Sequence, residues 1–110
     1  MTDRELLENA AKAAGLTAEW HEGCSELCVP SEWGHTPARR SGDFRIWNPI
    51  ADDGDALRLA VKLGIVIDVG SVAAHAYKDG PGVVEIYGSD PYSATRRAIV
   101  RAAAAIGAAK

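Results

Sequence analysis

Apolar residues recur at helical spacing in three stretches of this chain and alternate with polar residues in most of what lies between. The first stretch holds Leu6, Leu7, Ala10, Ala13 and Ala14. Thr2 and Glu5 form a T-x-x-E capping box ahead of it, and Gly15 is placed to stop it in the left-handed conformation. A second helix starts near Asp52–Asp55 and ends at Gly64. Its apolar stripe is centred on Leu57, Ala60, Val61 and Gly64, widened by Ala56, Leu59 and Leu63, with Asp55, Arg58 and Lys62 on the opposite face. A third opens with Asp90 as N-cap and Pro91 at the first helical position, and buries Ala98, Ile99, Ala102, Ala103 and Ile106. On that helix Arg97 and Arg101 point to solvent and Arg96 lies nearer the apolar edge.

Strands fill the intervals. Leu16, Ala18 and Trp20 alternate over 16–22, and Asp43-Phe44-Arg45-Ile46-Trp47 alternates again. Ile65 to Val69 is a β-branched run. Val72–Tyr77 and Val83–Tyr87 flank Lys78-Asp79-Gly80-Pro81-Gly82, which reads as a hairpin. A register symmetric about Gly80 sets His75 opposite Glu85 and Ala73 opposite Tyr87. It leaves Val72, Ala74, Ala76, Val84 and Ile86 on one face, which must then be buried. Residues 23–42 mix Gly, Ser, Pro and charge without a period and read as a long loop. The expected order is α-β-β-α-β-β-β-α. The expected fold is α/β in the α+β sense: a three-layer α/β/α sandwich, with one mostly antiparallel sheet of about four to five strands covered by three helices.

Composition narrows the picture. The 110 residues suit one domain, 1–110, with a thin core. Aromatic content is only 6%, so aliphatic residues and alanine do the packing. A net charge of −3 disfavours a bulk electrostatic grip on nucleic acid. No apolar run is long enough to span a membrane. The N-terminus lacks the basic start and apolar run of a signal peptide, and two cysteines without an export signal suit a reducing cytoplasm.

Candidate chemistry lies in four places. The first is the turn from Trp47 and Asn48 into Asp52, Asp53 and Asp55. Pro49 biases Asn48 to an extended backbone, and acidic residues in a first helical turn complement its dipole. The turn suits a structural cap better than a polar-ligand site. The second is Asp90, Tyr92, Arg96 and Arg97, where guanidinium groups suit a phosphate or carboxylate and Tyr92 suits a base. The preferred reading is structural: Arg96 pairs with an acidic group of the second helix and locks the two motifs together. The third is His21, Cys24, Cys28 and His35, four zinc-ligand types at a spacing that matches no familiar finger. Two reduced thiols are the preferred reading there, with zinc as the alternative to no cofactor. The fourth is the His75–Glu85 pair, which lacks a neighbouring nucleophile and reads as an ordinary cross-strand pair. There is no nucleophile elbow, P-loop or dinucleotide fingerprint.

The Trp47-Asn48-Pro49 turn, the run Asp52 to Gly64, the stretch Ala94 to Ala103 and the opening helix Met1 to Ala14 together resemble the phage ABA-sandwich domain family. A more distant similarity is to small proteins of the lambdoid Nin region. The resemblance covers nearly the whole chain except 23–42. It implies an α/β/α sandwich and a phage or prophage origin, and it brings no catalytic residues. The expected function is a non-enzymatic accessory protein in the host cytoplasm, acting by binding a host or phage protein or a second copy. Its expected surface is the Trp47 turn with Trp33 of the neighbouring loop, because Trp and Arg anchor interfaces. Sequestration of a nucleotide-like small molecule and association with DNA through Arg97 and Arg101 are the alternatives.

Overall fold

The computed structural model describes residues 1–23, 25–30 and 44–110. Its elements are α1 (Asp3–Ala14), β1 (Glu19–His21), β2 (Glu26–Pro30), β3 (Phe44–Ile46), α2 (Asp53–Leu63), β4 (Val66–Val69), β5 (Ala73–Tyr77), β6 (Val83–Ile86) and α3 (Pro91–Ala108). The protein is α+β, and the expected order holds with one strand added. That strand, β2, occupies part of the segment expected to be loop. Leu27-Cys28-Val29 is buried throughout, because β2 is the central strand of its sheet. A short strand covered on both faces shows no alternation to read.

Local chemistry sets the helix ends. The Glu5 amide donates to Thr2 Oγ1 at 3.1 Å, and the Thr2 amide donates to Glu5 Oε1 at 3.1 Å. These bonds hold the Glu5 carboxyl below its ordinary pKa, the backbone amide of Thr2 being the larger cause. α1 stops at Gly15 and α2 at Gly64, with φ of 73° and 70°. In each case the next residue, Leu16 or Ile65, returns its amide to a carbonyl of the last turn at 2.9 Å.

The strands form two antiparallel three-stranded sheets, β1-β2-β3 and β4-β5-β6, instead of one. The β5–β6 register is one residue away from the symmetric expectation. Ala73 opposes Ile86, Ala74 opposes Glu85, His75 opposes Val84 and Ala76 opposes Val83. Gly82, at φ 73°, accounts for the slip: the chain returns so tightly there that a Cβ would fall on the Ala76 carbonyl and on Tyr77. A slip of one residue exchanges the faces. Ala74 and Ala76 are buried as expected, but Val72, Val84 and Ile86 are exposed, Ile86 at 77%. Glu85 turns toward α3 and pairs with Arg101. His75 donates through Nε2 to the Pro81 carbonyl at 2.6 Å and lies against the Tyr77 ring. The expected His75–Glu85 pair therefore does not form.

α3 is the central element. It packs on α1, α2, β5 and β6, which is why Val100 and Ala104 are buried along with the expected Ala98, Ile99, Ala102 and Ala103. Close approach of α3 to α1 needs Gly107, where a Cβ would fall on the Asn9 carbonyl. The largest fully buried side chains include Trp47, Leu27, Leu59, Val29 and Val100. Complete burial of an aliphatic side chain of this size is worth about 1.5–3 kcal/mol.

Candidate functional site

The turn into α2 spends the Asp52 and Asp55 carboxylates and the Asn48 amide oxygen on its own groups, while Arg58 Nε is buried without a hydrogen-bond partner among the described residues. Trp47 is 0% exposed, and its amide donates to the Leu27 carbonyl at 2.9 Å, continuing the β2–β3 pairing. Asn48 Oδ1 accepts from the Ile50 and Ala51 amides at 3.1 and 3.2 Å, an Asx turn. The Asp52 carboxylate caps α2 by accepting from the Asp55 amide at 2.8 Å. Asp55, only 2% exposed, accepts from the Asn48 amide at 3.0 Å and from Arg58 Nη2 at 2.8 Å. Two expectations are corrected. Trp47 is a core residue and offers no surface to a partner. Asp55 faces inward, because the buried side of α2 is Asp55, Ala56, Leu59, Ala60 and Leu63. Leu57, expected at the centre of the buried stripe, is 58% exposed, and Val61 is exposed as well.

The start of α3 is built differently. Asp90 caps it by accepting from the Tyr92 and Ser93 amides at 3.0 and 3.3 Å, while Tyr92 stays exposed. Arg96 donates through Nε to the Ile50 carbonyl at 2.7 Å and through Nη1 to Asp53 Oδ1 at 2.7 Å. It therefore ties together the two segments that the sequence singled out, in the structural pairing preferred from the sequence. Arg97 and Arg101 lie at the surface as expected, and there they pair with Asp3 at 3.2 Å and with Glu85.

Between the two helix starts and the sheet β4-β5-β6 lies an open groove of about 630 Å³. Leu57 of α2, Ile67 and Val69 of β4, Tyr87 after β6, and Tyr92 and Ile99 of α3 give it an apolar wall, with Asp53 and Arg96 beside them. Two of its four hydroxyls are engaged: Tyr87 donates to the Gly70 carbonyl at 3.0 Å and Thr95 to the Pro91 carbonyl at 2.8 Å, beside those of Ser71 and Tyr92. Volume and lining are those of small-molecule sites. Sequence reasoning found Asp53, Tyr92 and Arg96 but missed Leu57, Ile67, Val69, Tyr87 and Ile99. One signal was available. The apolar residues of α2 span too wide an arc for one buried stripe, so some of them had to remain outside the core.

Of the zinc candidates, Cys28 is buried in β2 and His21 is half-buried in β1, while Cys24 and His35 lie outside the described residues, as does Trp33. Among the described residues, no group of three or more potential ligands comes together to hold a metal, and no helix is long and apolar enough to cross a membrane. Comparison with known proteins is negative throughout: no family model, no curated protein and no solved structure matches this chain.

Proposed function

We propose that this protein is a non-enzymatic phage or prophage accessory protein that acts by binding in the host cytoplasm, and that its binding site is the groove between the starts of α2 and α3. The observation that carries the placement is the exposure of Leu57, Val69 and Tyr92 around one apolar cleft. A folded chain gains nothing from apolar surface left in water, and contiguous patches of this kind mark interaction sites. The phage assignment is supported by the sequence resemblance and the binding mode by the cleft. A host or phage protein that inserts apolar side chains is the favoured occupant, with self-association as the variant in which a second copy supplies them.

A small molecule in the same cleft is the second reading, favoured by the combination of a groove of about 630 Å³ and one well-held guanidinium. A polyphosphate nucleotide fits less well, because Arg97 is already paired with Asp3 and the walls are apolar. DNA association through Arg97 and Arg101 is weakened in the same way, since both are engaged by carboxylates.

A photo-crosslinking residue at position 92 tests the placement in host cells. The reading expects a discrete covalent adduct from position 92 and none from position 22, which is exposed at the turn after β1. Adducts from position 22 with none from position 92 would overturn it.

A further inference from the structure

We infer that the groove selects an amphipathic monocarboxylic acid, with Arg96 receiving the carboxylate and the apolar wall receiving the body. The inference rests on the second reading of the groove, in which a small molecule occupies it. Arg96 is held from below and balanced from outside. Its side chain is 17% exposed and Nε is anchored on the Ile50 carbonyl. Its only ionic partner is Asp53, whose side chain is 71% exposed and forms no hydrogen bond other than the one from Arg96 among the described residues. The cation is thus fixed, while its counter-ion is solvated and free to rotate away. Arg96 Nη2 has no protein partner among the described residues.

With the Tyr87 and Thr95 hydroxyls already donated to backbone carbonyls, the polar groups left at the groove are the Ser71 and Tyr92 hydroxyls and one guanidinium edge, which is the sole positive charge among its lining residues. A guanidinium binds a carboxylate through paired charge-assisted bonds, and the strength of those bonds rises as water is excluded by an apolar wall such as Leu57, Ile67 and Ile99. One cationic edge beside such a wall complements one anionic head on an apolar body. A single positive charge does not complement a dianion. Asp53 then acts as the competitor that an incoming carboxylate displaces from Nη1.

The test is an amide chemical-shift titration of the full chain with 4-phenylbutyrate and with its neutral counterpart 4-phenylbutan-1-ol. The expected result is about tenfold tighter binding of the acid, with shifts at Leu57, Val69 and Tyr92. Asp53→Asn removes the competitor, so it should tighten the acid by about two- to fivefold and leave the alcohol unchanged. Arg96→Gln should abolish the preference for the acid. If that variant fails to fold, Asp53→Asn decides alone, because a purely structural ion pair would weaken binding or leave it unaltered when broken. Equal binding of acid and alcohol would overturn the inference while leaving the groove as a binding site. Binding of an amidated Phe-containing tripeptide with none of the free acid would also overturn it, giving the groove to a peptide. Binding of neither small molecule would overturn it too, and the crosslinking result would then judge the groove by itself.

Discussion

The starts of α2 and α3 look alike as sequence and do opposite things as structure. Both place an aspartate N-cap beside aromatic and charged residues. At α2 the aromatic Trp47 is in the core, and Asn48, Asp52 and Asp55 satisfy one another and the backbone. At α3 the aromatic Tyr92 is in water, and Arg96 reaches across to the other helix beside an open groove. A dense cluster of polar groups at a helix start is therefore ambiguous. What separates a lock from a site is whether the carboxylates are bonded inward and whether the aromatic ring is covered.

Substitutions break this comparison in order of size. Trp47→Ala removes a fully buried indole and should cost about 3–5 kcal/mol in chemical denaturation, as large core truncations do. A loss below about 1 kcal/mol would place Trp47 at the surface after all. Gly107→Ala drives a methyl group against the Asn9 carbonyl and should cost about 1–3 kcal/mol through separation of α1 from α3. An unchanged melting temperature would show that these helices do not meet so closely. Leu57→Ser, on the open wall, should alter stability by no more than about 0.5 kcal/mol while removing binding in the groove. A large loss of stability would mean that Leu57 belongs to the core.

The smallest effect expected is electrostatic. Glu5 has a lowered folded pKa, so its contribution is present above the ordinary carboxylate value and is lost as pH falls through the depressed one. Glu5→Gln should therefore lower the melting temperature slightly at neutral pH and flatten its acid limb, because the contribution it removes is already lost in acid. An acid limb identical to that of the parent would count against the capping box as a source of acid sensitivity.

Much of the fold was legible because its signals are local. The Thr2–Glu5 box, Gly15 and Gly64 as helix stops, Asp90 as a cap and Pro91 at the first helical position all act within four residues. The failures come from interactions the sequence does not localise. The β5–β6 register depends on how tightly the chain can turn at Gly82, and one residue of slip sent Val84 and Ile86 outward. β2 was missed because burial on both faces erases alternation. The helical face of α2 was misassigned because its apolar residues serve both the core and the groove, so their centre of mass lies between the two. The candidate site was half legible for the same reason. Its charged residues announce themselves, whereas Ile67, Val69 and Ile99 look like ordinary core until the groove is seen.

Urea unfolding of Asp53→Asn and Asp55→Asn, side by side, tests the division between lock and groove most directly. The two carboxylates are two residues apart in the same first turn, one exposed on Arg96 and one buried on Asn48 and Arg58. Asp55→Asn should lower the unfolding free energy by roughly 3 kcal/mol, the scale for breaking a buried ion pair. Asp53→Asn should lower it by less than about 1 kcal/mol, the scale for a pair with one exposed partner. Equal losses, or the larger loss at Asp53, would contradict the account.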